Sequence, residues 1–397
     1  MQFKIITKEE FLNYRDNFNY NFYQNPSWGE VKKKNGWNSF YTAVFDEKNK
    51  PILLSLVLAK KILNKYLYYA PRGPLLKNDV DRKKVYQFYL QEMKNYLKNK
   101  KAIMFKFDPL ILYAKHDKEG QTIGNETEQN FVDFLEKQGA KHRGFTIGYT
   151  DEAQFRWSYA LDIQNKTFAD LTKDMNTRCK RSIKKALKYP LVIQDVTDET
   201  IKDFKAIMES TAQRQHHSDR TLCYYQTLKD NLKDIIRMCL VYLDKEKFLE
   251  DIKMGKYIID EKILENIKQD ERNMIPLSAG VFIFDKDRFN YVYGGTYAKY
   301  FPFMAPYKMP VEMLKYALEK KMNYYDFGGI SGNFIPGTPE YGVYEYKRGY
   351  GGFVIEYIGE FDLVINKRAY FAYAHGLKIY EALLRITKKF KKINRLT

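Results

Sequence analysis

Tyr66-Leu-Tyr-Tyr-Ala-Pro-Arg-Gly73, an amphipathic stretch near Val85–Leu97 and Met104-Phe-Lys-Phe-Asp108 form one block of the 397-residue chain. The block returns in the second half as Tyr291-Val-Tyr-Gly-Gly295, an amphipathic stretch near Pro310–Lys320 and Asn323-Tyr-Tyr-Asp-Phe327. Each copy is an aromatic strand ending in a glycine turn, a helix-period run, and a strand closed by an aspartate, Asp108 or Asp326. A strand-helix-strand unit met twice predicts a mixed α/β chain (α+β) built from two domains of one fold.

Outward from these blocks, strand-like and helix-like runs alternate. Ile52–Leu58 and Ala102–Phe107 read as strands on either side of a helix over Lys84–Asn99. Between the apolar runs Met238–Leu243 and Leu277–Phe284, residues Asp244–Arg272 are dense in Lys, Glu, Asp and Ile, without Pro and without Gly after Gly255. This stretch predicts a helical insertion, a hairpin, in the second domain.

Composition narrows the classes. At 45% hydrophobic residues with 12 Pro and 22 Gly, the chain has material for a buried core and no bias toward disorder. No apolar run reaches the ~18–20 residues of a membrane-spanning helix. Met1–Glu10 carries charges where a secretory signal needs an apolar stretch, which predicts a cytoplasmic chain. Cys179, Cys223 and Cys239 are odd in number and form no C-x-x-C pair, arguing against a disulfide framework or structural zinc. The 67 Lys+Arg against 49 Asp+Glu leave +18, which points to anionic partners.

That excess is local. Residues 176–189 hold Arg178, Lys180, Arg181, Lys184, Lys185 and Lys188 and no acid, a candidate contact for nucleic acid or phosphate. Residues 366–397 hold nine Lys/Arg against Glu381 alone. There Leu377, Tyr380, Leu383, Leu384, Ile386 and Phe390 fall near helical spacing, predicting an amphipathic basic helix suited to peripheral contact with an anionic membrane surface.

Several chemistries lack their parts. The chain has no G-x-x-x-x-G-K-[ST] phosphate loop, no G-x-S-x-G elbow and no H-E-x-x-H, and no G-x-G-x-x-G follows a strand. His216-His217 is the one histidine cluster, and adjacent side chains on a helix diverge by about 100°, so no metal site is expected. Lys, Arg, Asp and Tyr remain. They suit transfer between an activated ester and an amine, which needs two anionic substrates held together and a cation near the developing oxyanion. Lys347, in Tyr344-Glu-Tyr-Lys-Arg-Gly-Tyr-Gly-Gly352, stands between aromatic residues and a glycine turn and is the candidate cation.

Asn25-Pro-Ser-Trp-Gly-Glu-Val-Lys32, Tyr69-Ala-Pro-Arg-Gly-Pro74, Phe107-Asp108-Pro109 and Asn176–Lys188 resemble motifs of the FemABX family of cell-wall aminoacyltransferases. So do Tyr324-Tyr-Asp-Phe-Gly-Gly-Ile330 and Glu345-Tyr-Lys-Arg-Gly-Tyr350 with Glu356–Phe361, in the family's order. The resemblance implies two tandem GNAT-like (acyltransferase) domains: residues 1–150 completed by 358–397, then 151–357 with an inserted helical arm at 244–273. It also implies transfer of an amino acid from aminoacyl-tRNA to the stem peptide of a peptidoglycan precursor, lipid II or UDP-MurNAc-pentapeptide, without metal or coenzyme. By the same resemblance Lys32 and Arg220 grip the precursor's diphosphate. Asp108, Tyr224 and Tyr293 line its peptide channel, and Tyr346 with Lys347 stands at the reacting centre. The arm is shorter than the long coiled coil of staphylococcal members, and Tyr346 replaces the Phe of some.

Two other readings stay open. An acyl-CoA-dependent N-acyltransferase needs a [QR]-x-x-G-x-[GA] loop, and the nearest matches, Arg348–Phe353 and Gln121–Glu126, fail at the last position. A non-catalytic RNA- or membrane-binding protein needs only the basic, aromatic-rich segments, and gives no reason for two equivalent aspartates.

Overall fold

The structure is a computed structural model describing residues 1–149, 153–338 and 340–376. Two mixed sheets of eight strands each form its framework. In the first, the spatial order is Gln2–Ile6, Trp37–Phe45, Pro51–Ile62, Lys65–Ala70, Ala102–Phe107, Phe361–Val364 and Ala140–His142, with Leu75–Leu76 paired to Pro51–Ile62. In the second it is Leu191–Asp195, Ile236–Asp244, Met274–Phe284, Arg288–Thr296, Tyr324–Ile330, Trp157–Asp162, Phe353–Tyr357 and Leu112–Lys115. Each sheet contains one parallel pair among the described residues. Lys65–Ala70 lies parallel to Ala102–Phe107, and Arg288–Thr296 to Tyr324–Ile330. These are the strands of the repeated block.

The crossover helices form where the periodicity places them, a few residues longer at their N-termini. Arg82–Lys98 is capped by Asp81, whose side chain accepts from the Lys84 N–H at 3.0 Å. It buries Val85, Tyr86, Tyr89, Leu90, Met93 and Leu97, a stripe at three- and four-residue spacing. Ala305–Glu319 is its counterpart in the second half. The stretch 244–273 forms two helices, Lys245–Lys253 and Glu261–Gln269. Phe248 and Ile267 sink this hairpin into the second core, so it packs as part of the domain.

Two strands cross between the halves. Leu112–Lys115 pairs with Phe353–Tyr357 in the second sheet, and Phe361–Val364 returns to the first sheet beside Ala102–Phe107. The exchange stitches both sheets together and brings their facing elements into fixed register. Of the basic tail, Leu377 and all later residues lie outside the described ones. Among the described residues no helix is long and apolar enough to cross a membrane, and no group of three or more His, Cys, Asp or Glu is placed to hold a metal ion.

Candidate active site at the second parallel pair

Pairing between Arg288–Thr296 and Tyr324–Ile330 stops at Asn290 and Asp326. Directly after it, between Asp326 and Gly329, the ladder to Trp157–Asp162 shifts register as a bulge. Glycine is required at both bulge positions. Gly328 has φ +76°, and a Cβ on Gly329 would meet the Phe155 ring at 2.2 Å.

The helix Tyr341–Arg348 runs beside this bulge and aims Lys347 into it. The Lys347 ammonium donates to the carbonyl oxygens of Gly328 at 3.0 Å and Gly329 at 2.7 Å. Burial, with the side chain only 9% exposed, pushes its pKa down to about 7 against the opposing charge of Asp326. An ammonium has three N–H donors, so two carbonyls leave one for a reacting oxygen.

Tyr346, next on the same helix, points elsewhere. Its hydroxyl donates to the Pro306 carbonyl at 2.8 Å and its ring packs on Tyr307 and Tyr350. The two side chains diverge by about 100°, as helix geometry requires, and Tyr346 supports the helix from the side away from the two glycine carbonyls.

Asp108 closes the first parallel pair and is 1% exposed. Its Oδ1 accepts from the Arg72 main-chain N–H at 2.8 Å, and its Oδ2 lies 3.5 Å from the Arg72 guanidinium. Burial pushes this carboxyl up while Arg72 opposes. Arg72 stacks on the Tyr357 ring at 4.6 Å, the Tyr357 hydroxyl accepts from Arg288 at 3.1 Å, and Arg288 pairs with Asp326 at 3.3 Å. Asp108 and Asp326 are thus the two ends of one chain, Asp108–Arg72–Tyr357–Arg288–Asp326, spanning both halves. The sequence supplied the aspartates. Of the three residues between them, Arg72 and Tyr357 lie in quoted motifs and Arg288 in none, and no local pattern shows that they meet, because their meeting depends on the strand exchange.

Two adjoining cavities lead to the bulge whose glycine carbonyls hold Lys347. The inner, about 60 Å³, is lined by Arg72, Phe155, Asp326, Gly328, Gly329 and Tyr357. The outer, about 230 Å³, is lined by Tyr23, Arg156, Trp157, Arg220, Tyr293 and Ile330. Both share Tyr23, Gln154, Phe155 and Val292. Tyr224 stands behind Tyr293, their hydroxyls 3.4 Å apart. Of the residues expected along a peptide channel, Tyr293 lines the outer cavity, Tyr224 braces it, and Asp108 sits behind Arg72. Tyr23 comes from the short 3-10 helix Phe22–Gln24, and Phe155, Arg156 and Trp157 from a loop and the strand end after it, all of which sequence patterns leave unmarked. A larger groove of about 460 Å³ beside Phe168–Asp174 is lined by neither Arg220 nor the two bulge glycines.

Arg220, which lines the outer cavity, and Lys32 come near one another from different halves. The helix Pro26–Lys33 buries Trp28 and Val31 in the cluster that also holds Tyr224, Tyr225 and Leu228 of Leu222–Leu232. Burial, then Arg220 and Lys60, lower the Lys32 pKa to about 8. Neither Lys32 nor Arg220 has an acidic ion-pair partner among the described residues. Two like charges held together without a carboxylate make an anion site.

The basic segment forms the helix Thr177–Ala186, capped by Asn176, which accepts from the Cys179 N–H at 2.8 Å. Cys179, Ile183 and Ala186 are buried, and Arg178, Lys180, Arg181, Lys184, Lys185 and Lys188 are exposed along the other face. The glycine-rich Arg348–Phe353 follows the C-terminus of Tyr341–Arg348. Its amides therefore do not open a helix, as a pyrophosphate loop requires.

A model of the FemAB family matches residues 6–265 and 258–378. The aminoacyltransferase FemA of Staphylococcus epidermidis is 29% identical over 98% of this chain and all of its own length. FemA of Staphylococcus aureus is 26% identical over 96% of this chain and all of its own. Among solved structures, FemX superposes with a TM-score of 0.76 at 23% identity, covering 93% of this chain and 99% of FemX. A tandem GNAT protein from the clavulanic acid biosynthesis pathway superposes at 0.51 and 8% identity, covering 92% and 98%. The repeated block, the two exchanged sheets and the matches over nearly the whole length agree: the chain has tandem GNAT-like domains and belongs to the FemAB family of aminoacyltransferases.

Proposed function

We propose that this chain transfers an amino acid from aminoacyl-tRNA to the stem-peptide amine of a peptidoglycan precursor, lipid II or UDP-MurNAc-pentapeptide, building the interpeptide bridge. The observation that carries the reading is Lys347, held by the two carbonyls of a bulge that lines the inner cavity, with Arg220 lining the adjoining outer cavity and Lys32 near Arg220. A diphosphate beside Arg220 and Lys32 and a peptide amine near the bulge would occupy two adjoining cavities.

In this reading the peptide amine attacks the ester carbonyl carbon of the aminoacyl group. A C–N bond forms as the carbonyl π pair moves to oxygen, and the remaining Lys347 N–H donates to that oxyanion. Collapse breaks the ester C–O bond, and the proton lost by the amine ends on the departing ribose oxygen. Lys347 must be protonated for this role. Asp108 and Tyr346 act by holding the site, Asp108 through Arg72 and Tyr346 through Pro306. Arg178, Lys180, Arg181, Lys184 and Lys185 offer a ridge for the tRNA phosphates, and the basic tail offers peripheral contact with the inner face of the plasma membrane.

A mixed aminoacyl-tRNA pool is offered with each precursor and the products read by mass. One or more added amino-acid residues support the reading, and no addition to either precursor overturns it. Liposome binding with and without residues 376–397 tests the membrane contact.

A further inference from the structure

Asp326 has no part in the steps above. It is 6% exposed, and both of its oxygens are engaged. Oδ1 accepts from the Ser158 hydroxyl at 2.6 Å and from the Gly328 main-chain N–H at 2.7 Å. Oδ2 faces the Arg288 guanidinium at 3.3 Å. A carboxylate so occupied is poorly placed to take a proton from substrate. Its bond to Gly328 closes a turn over residues 326–328, and that turn is the bulge. In a regular strand successive carbonyls alternate in direction, so two in a row do not reach one donor. Here the oxygens of Gly328 and Gly329 both reach the Lys347 ammonium. The turn makes that possible, and Asp326 makes the turn.

We propose that Asp326 is a positioning residue for the transfer: by holding the Gly328 N–H it keeps both glycine carbonyls on Lys347 and fixes where that ammonium presents its third N–H. The proposal rests on the role given to Lys347 above. Its carboxylate is also the charged group that favours protonated Lys347. Around Asp326 itself stand Ser158 from Trp157–Asp162 and Arg288 from Arg288–Thr296, with Tyr357 from Phe353–Tyr357 beyond Arg288.

The test compares the full-length chain with Asp326→Asn and Asp326→Ala. Asparagine keeps an acceptor oxygen for Gly328 but no charge; alanine removes both. In protein labelled with ¹³C at the lysine ε-carbon, the Lys347 signal is the one lost in Lys347→Arg. Its titration midpoint lies at about 7 in the unaltered chain and falls by about one pH unit in Asp326→Asn. In the transfer assay Asp326→Ala lowers kcat by at least about tenfold, with KM for both substrates within about twofold. Asp326→Asn retains more activity, and its alkaline limb moves down with the Lys347 midpoint. Normal kcat in Asp326→Ala overturns the proposal. Should the alanine variant fail to fold, the asparagine variant decides: on the acid side of its alkaline limb, where Lys347 is protonated, kcat stays within about threefold of the unaltered chain, and a loss of about tenfold there overturns the proposal. The titration needs no substrate, so a chain that transfers no amino acid overturns the transferase reading while the Asp326 result stands separately.

Discussion

Arg178 and Glu345 form an ion pair of 2.9 Å between the basic helix Thr177–Ala186 and the helix that carries Lys347. The Asn176 N–H adds a main-chain bond to the Gly349 carbonyl at 3.0 Å. The Arg178 side chain is 66% exposed, so the pair adds little stability. Its consequence is geometric: the exposed basic ridge is held beside the helix that carries Lys347.

Replacing Lys347 with Ala removes one donor aimed at the oxyanion. Turnover should fall by about 10²–10³, with KM for both substrates little changed. Steady-state transfer kinetics check this, and near-normal turnover would remove Lys347 from the chemistry.

The same lysine costs stability. Its pKa falls from the ordinary 10.5 to about 7 on folding, so between those values the unfolded chain binds more protons and stability rises with pH. Below about pH 7 both states are protonated and the full cost of the buried charge is felt. Lys347→Met should therefore raise Tm by on the order of 2–4 °C at pH 6, with the gain shrinking toward pH 10.5. Calorimetry at several pH values measures it, and a pH-independent gain contradicts the assignment.

In the proposed reading Lys32→Ala and Arg220→Ala each remove one charged partner of the precursor's diphosphate. Such bonds contribute roughly 1.5–3 kcal/mol, so KM for the precursor should rise about 10–100-fold in each while KM for aminoacyl-tRNA stays put. A shift in the tRNA parameter instead would move the anion site to the other substrate.

Charge reversal along the ridge, Lys180→Glu with Arg181→Glu and Lys184→Glu, should weaken tRNA binding. If the three contact phosphates, the slope of log affinity against log salt drops by about 2–3. Fluorescence anisotropy across a salt series reads both quantities, and an unaltered slope places the tRNA elsewhere.

Asp108→Ala leaves the Arg72 guanidinium buried without its carboxylate. Loss of one partner of a buried pair costs about 3–5 kcal/mol, measurable by urea unfolding. Asp108→Asn, which keeps an acceptor for the Arg72 N–H, should cost less. A neutral Asp108→Ala would mean that water already reaches the pair.

Local chemistry made the two halves legible in the sequence. The strand-helix-strand block repeats because each copy must bury one helix stripe on one parallel pair, and period-two and period-3.6 patterns survive in the residues themselves. The basic helix was equally plain, since Cys179, Ile183 and Ala186 at helical spacing leave every cation of Arg178–Lys188 facing water. Lys347 could be marked by its glycine and aromatic neighbours, but not its protonation. That depends on burial and on two carbonyls presented by a bulge in another strand. Helix geometry turned Tyr346 away from Lys347, whereas tertiary structure alone set Lys32 beside Arg220 and joined Asp108 to Asp326 through Arg72, Tyr357 and Arg288. Those contacts arise where Leu112–Lys115 and Phe361–Val364 exchange sheets, and residues hundreds of positions apart meet only once both sheets are in register.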